Sequence, residues 1–223
     1  MARPRVHDPD RLLDAAERLA VDAGPSAVTV RAISELTAVS NGAIYHAFGS
    51  RAGLVGRVWL RAARRFLALQ RDLVEAALDA DPGPAAAVDA VVAAADAPAR
   101  FATDHPTAGQ FLLTVDRAEL LGAAELPENL AADLKDLDQQ LADLFVRLSR
   151  TLWGRADRAS VEVVRDCVVE IPTALLLRGR RTPDEFVRAR IATCVRAVLE
   201  LDPPPPATDH PARHSSANRE DHP

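Results

Sequence analysis

Apolar positions recur at threes and fours along nearly the whole chain, and each such run predicts a helix. Leu12, Leu13, Ala16, Leu19 and Ala20 make the first stripe, started by Asp8-Pro9 and stopped by Gly24-Pro25. Two short segments follow. Ala32, Ile33 and Leu36 give one its apolar face, Val39 plugs a tight turn, and Ile44 and Phe48 hold the other segment against the first. Thr29 and Ser40 stand where N-caps belong. Asn41, Ala43, Tyr45 and His46 are left pointing outward. Two short helices locked at a steep angle, the second offering polar and aromatic side chains, follow helix-turn-helix logic.

Longer stripes come next. Residues 54–80 form a helix through Trp59, Phe66, Leu69, Leu73, Ala76 and Leu78, broken by Asp81-Pro82-Gly83-Pro84. Residues 85–104 are an Ala-Val helix with Pro98 inside, ended by His105-Pro106, and a short helix runs through Phe111, Leu112 and Val115. After a loop at 122–127, Leu130, Leu134, Leu137, Leu141, Leu144, Leu148 and Leu152 make a regular stripe ending near Trp153-Gly154. Val161, Val164, Val168, Ile171 and Leu175 line a helix over 159–177, which Pro172 should bend. Thr182-Pro183-Asp184-Glu185 reads as a capping box with Thr182 as N-cap, opening a helix whose stripe is Val187, Ile191, Cys194, Val198 and Leu201. Residues 203–223 lack apolar periodicity and read as a disordered tail. The expected fold is all-α: a three-helix helix-turn-helix head on a larger helical bundle. The expected division is 1–50 for the head and 51–202 for the body, with 51–80 as the connecting helix.

Composition agrees with an all-α core. Of 223 residues, 48% are hydrophobic but only 4% aromatic, so Ala, Leu and Val must fill the interior. No apolar run approaches the ~20 residues that span a bilayer. Residues 1–10 have no signal-peptide core, so a soluble, cytoplasmic protein with no membrane partner is expected. The net charge of −5 argues by itself against a nucleic-acid partner, but its distribution does not. Residues 1–65 hold ten Arg against six Asp or Glu, a balance of +4 that leaves −9 on the rest. A basic head on an acidic body is the footprint of a protein that touches DNA at one end.

Enzyme chemistry is not legible. There is no nucleophile with a plausible base, no Gly-rich phosphate loop, and no HExxH or CxxC spacing, so neither catalytic residues nor a cofactor nor a metal is expected. Cys167 and Cys194 fall on apolar stripes and read as buried small hydrophobes rather than a redox pair. Asp166 and Glu170 read first as an exposed face.

Thr29-Val30-Arg31, Ile33, Val39-Ser40, Gly42, Ile44-Tyr45-His46, Phe48 and Ser50 together resemble the TetR-type (tetracycline-repressor-like) transcriptional regulators. The motif covers about residues 8–65; beyond it only length and helical character agree. The resemblance implies a DNA operator as partner. Thr29, Arg31, Ser40 and Arg51 would meet phosphates, and Asn41, Gly42 and Ala43 would enter the major groove. Tyr45 and His46 would hold the sugar-phosphate backbone.

The resemblance also implies a small-molecule effector. Phe66, Phe101, His105, Phe111, Thr114 and Trp153 are candidates for its pocket, with Glu170 at the edge. It further implies a homodimer through the last two helices, with Val164, Val168, Ile171, Leu175, Val187, Ile191, Cys194 and Val198 as the interface. Two positions depart from the pattern. Ala38 takes the turn position usual for Gly, and Gly53 removes an acidic capping residue from the start of the fourth helix. A ligand-responsive repressor is the leading reading. A helical interaction module with a degenerate head, and a regulator without a ligand, stay open.

Overall fold

The computed structural model describes residues 9–80, 83–114, 126–178, 183–201 and 205. Residues 1–8, Val115, most of the 122–127 loop, Gly179, Thr182 and most of the tail lie outside the described residues. Among those described, the protein is entirely helical. Helix α1 (Pro9–Ala23), α2 (Val30–Thr37) and α3 (Asn41–Phe48) form the head, with a 3₁₀ turn at Pro25–Ala27 between the first two. Helix α4 (Arg51–Ala80) leaves the head and becomes one wall of the body. The body is completed by α5 (Pro84–Asp104), α6 (Pro106–Thr114), α7 (Glu128–Trp153), α8 (Arg158–Arg165 and its continuation to Arg178) and α9 (Glu185–Leu199).

Two apolar cores result. In the head, Leu12, Ala16, Ile33, Ile44 and Phe48 close on Leu54, Val55 and Val58 of α4, and Phe101, Ala108 and Phe111 of α5 and α6 complete the cluster. In the body, α4 and α5 pack along much of their length with α7, α8 and α9 around them. The head is therefore fused to α4 rather than hung from it. Arg61 of α4 strengthens the join, reaching Asp14 of α1 at 2.8 Å and Glu17 at 3.2 Å, the latter carboxylate buried.

The expected helix over 159–177 is present but not uniform. Arg158–Arg165 is α-helical, and wide π-helical turns at Asp166–Glu170 and Ala174–Arg178 flank a short α-helical turn at Ile171–Thr173. Pro172, which lacks an N–H, sits between them, so the chain relaxes into wider turns on both sides.

Four expectations are corrected. Leu36, assigned to the apolar face of α2, is 62% exposed; Val30 and Ile33 are the buried residues of that helix. Asp184, not Thr182, caps α9, its carboxylate accepting from Val187 N at 2.8 Å. The inward stripe of α9 is Val187, Ile191 and Val195, a strict four-residue spacing that turns Cys194 out to solvent. Finally, Val164, Val168, Val187 and Ile191, expected at a subunit interface, lie inside the protomer's own core, where Ala90, Val91, Ala94 and Ala95 of α5 also sit. Ile171, Leu175 and Val198 are half-buried against the same cluster.

Candidate nucleic-acid interface and interior cavity

The helix-turn-helix is built by local chemistry. Thr29 Oγ1 accepts from Ala32 N at 3.1 Å and Ser40 Oγ from Ala43 N at 3.2 Å, so both helices start on a side-chain cap. Ala38 ends α2 in the left-handed region at φ 57°, so the turn keeps its geometry without glycine. Ile44 and Phe48 are buried and point α3 inward on one side. The other side presents Ser40, Asn41, Gly42, Tyr45 and His46 to solvent, with Ala43 half-buried; Tyr45 is 53% exposed. A Cβ added at Gly42 would meet nothing within 4 Å, so the protein's own packing does not demand glycine there. Arg31 is exposed and bonded to Glu35 at 2.9 Å, which raises its pKa above the usual guanidinium value.

Arg51 corrects the expectation of a phosphate contact. Its Nε donates to Val28 O at 2.6 Å and its guanidinium nitrogen Nη2 to Pro25 O at 2.8 Å. The half-buried guanidinium thus satisfies carbonyls of the α1–α2 connection and pins them to the start of α4. That start is well made: Ser50 Oγ accepts from Gly53 N at 2.9 Å. Gly53 is there for space, since a Cβ would stand 2.0 Å from Phe48 O.

The body holds a partly open cavity of about 280 Å³. Trp59, Ala63, Phe66 and Gln70 of α4 line it together with Pro98 and Phe101 of α5 and Gly109 and Leu112 of α6. Leu141 and Phe145 of α7, and Val168, Val169 and Thr173 of α8, close it. Phe66 and Phe101 meet edge to face at 5.6 Å. Of the expected pocket residues whose side chains are described, Phe66 and Phe101 are in its wall.

His105, Phe111, Trp153 and Glu170 are placed elsewhere. His105 terminates α5 in the open, its ring 5.0 Å from Phe101. Phe111 is fully buried in the head's core. Trp153 packs on the body's core at the end of α7. Glu170 is exposed and paired with Arg165 at 2.9 Å. Thr114 ends α6, and its side chain is outside the described residues.

Gln70 was not anticipated, though the stripe Leu67, Gln70, Val74 on α4 signals it: an amide holds a place that the helix turns inward. Among the described residues there is no group of three or more His, Cys, Asp or Glu able to hold a metal, and no helix long and apolar enough to cross a membrane.

A capped recognition helix with an exposed polar edge, set on a basic head, defines a helix-turn-helix DNA-binding module. Residues 12–58 match the family model of bacterial regulatory proteins, tetR family. Residues 12–58 are thus similar to the DNA-binding region of that family. No curated protein matches the chain in sequence. Solved structures share its fold. One is the TetR-family regulator PfmR from Thermus thermophilus, at TM-score 0.60 and 19% identity, covering 86% of this chain and 98% of that one. Another is the ketosteroid transcriptional regulator KstR2 of Mycobacterium tuberculosis, at TM-score 0.56 and 20% identity over 88% and 95% of the two chains. A TetR-family regulator from Streptomyces coelicolor is similar at TM-score 0.56 and 20% identity, over 86% and 97%.

Proposed function

We propose that the protein works in the cytoplasm as a dimeric repressor, released from a palindromic operator when a small molecule enters the body. The observation that carries this reading is that one helix serves both places. α4 begins at the head, bonded through Arg51 and Arg61, and supplies four of the cavity's lining residues a few turns later. A molecule wedged between α4 and α7 would displace α4, and the head would move with it. Release follows only if the effector binds the operator-competent and incompetent states unequally.

On the operator, residues 1–50 act as the reading head and 51–202 as the sensing and dimerising body. Two heads of a two-fold dimer would enter successive major grooves about 34–36 Å apart. Asn41 and Ala43 would face base edges, and Gly42 would let the helix approach closely. Thr29, Ser40, Tyr45 and His46 would set register on the phosphates, where Arg31 would exchange Glu35 for a phosphate oxygen.

The test is selection of bound fragments from genomic DNA by the purified protein. Binding of the recovered site is then titrated against salt for wild type and Tyr45→Ala. A palindrome with steep salt dependence is expected, and the variant should bind it about tenfold or more weakly while remaining a dimer. No enriched sequence from folded dimer would instead mark the head as degenerate and the chain as an interaction module.

A further inference from the structure

We propose that the effector is an uncharged, mainly apolar molecule that presents one hydrogen-bond donor to Gln70 Oε1. The inference rests on the effector-responsive reading above and specifies its ligand. It starts from a proline. Pro98 has no N–H, so the carbonyl of Ala94, four residues earlier in α5, receives no helical hydrogen bond from it. Gln70, across the α4–α5 contact, supplies the missing donor: its Nε2 reaches Ala94 O at 3.0 Å. That bond fixes which way the amide lies, because only the NH₂ end can face a carbonyl. The other end of the amide, Oε1, is buried and has no partner among the described residues, on a residue that is only 1% exposed and lines the cavity.

Buried polar atoms in folded proteins are almost always paired, and an unpaired one beside a cavity is a place held for a ligand or a water. The rest of the wall says what kind of ligand. Trp59, Phe66, Phe101, Leu112, Leu141 and Phe145 dominate it, and among the described residues no Asp, Glu, Lys, Arg or His lines it. A carboxylate or phosphate lodged there would leave water without meeting a counter-charge. An apolar ring or short chain ending in a hydroxyl or N–H would bury its body on the aromatic wall and satisfy the orphaned acceptor with its donor. The cavity, at about 280 Å³, suits a molecule of one or two rings.

Three matched probes test this: 2-naphthol, 2-methoxynaphthalene and 2-naphthoate, each titrated calorimetrically into the full chain. The naphthol should bind about tenfold more tightly than the ether, which keeps the rings but loses the donor. The naphthoate should bind most weakly. Gln70→Met keeps the bulk but removes the acceptor, so it should bind both neutral probes about equally. Because that change reopens the Ala94 carbonyl, the double variant Q70M/P98A, whose new backbone N–H restores the helical bond, serves where the single one folds poorly. Equal binding of naphthol and ether by wild type overturns the proposal. So do a naphthol preference that survives in the variants, a tighter naphthoate, and no binding of any probe. Operator binding by the same preparations without probe separates the two readings: if it persists while the probes fail, only the ligand assignment is lost.

Discussion

At the scale of single residues, the side chains that cap and plug were readable because their partners are neighbours in sequence. Thr29 and Ser40 cap the backbone three residues on, and Ala38 occupies the left-handed turn at its expected place. Arg51 was not legible because its partners are carbonyls 23 and 26 residues upstream, and nothing in the sequence says that the fold brings them to the start of α4. Gln70 escaped notice for the same reason, its partner being a carbonyl freed by a proline on another helix. The corrected role of Arg51 has a distinct signature. Arg51→Gln should lower folding stability by about 2–3 kcal/mol, the worth of hydrogen bonds from a charged donor to buried acceptors. The slope of operator affinity against salt, which counts neutralised phosphates, should not change. Chemical denaturation and a salt titration check both. An unaltered melting curve with a shallower slope would return Arg51 to the DNA.

Whole elements were the most legible part of the chain, since a stripe of apolar residues depends only on helical period and the presence of a core. The ends and the inward register were less so. On α9 both Cys194 and Val195 fit a stripe starting at Val187 and Ile191, and packing against α5 selects Val195. Arg188 reinforces that choice with a two-pronged pair to Asp96 of α5, at 2.8 and 2.6 Å. At the start of α9 it is the carboxylate of Asp184, not the expected Thr182, that caps the helix by reaching a backbone N–H. Asp184→Ala should therefore cost about 1 kcal/mol in urea denaturation, whereas Asp184→Asn, which caps as well, should be nearly neutral. Equal losses in both variants would mean that the carboxylate's charge near the helix N-terminus, and not the cap, is what stabilises α9.

At the scale of the molecule, the location of a subunit interface was the hardest thing to read, because an apolar stripe does not say whether its partner lies in the same chain. The inward stripes of α8 and α9 proved to belong to the protomer, so the proposed dimer must use what they leave outside. On α9 that face is Phe186, Ala189, Thr193 and Ala197, all exposed and spaced to lie along one side of the helix. Phe186 is 78% exposed among the described residues, a large apolar surface to leave in water, and small residues beyond it would let a second helix approach. Under two-fold symmetry any change there is made twice. Phe186→Asp should thus remove burial worth about 3–6 kcal/mol in all and weaken dimerisation by about two to four orders of magnitude. Light scattering behind size exclusion reads the result directly. Thiol alkylation supplies a second readout from the same sample. Cys194 flanks this face and is exposed in the protomer, so its labelling should be slow in the dimer and fast in the variant. Cys167 should resist labelling in both, because burial pushes its thiol up to about 12 and keeps it protonated. A variant that stays dimeric, with Cys194 labelling unchanged, would move the interface off α9 and leave Phe186 to another partner.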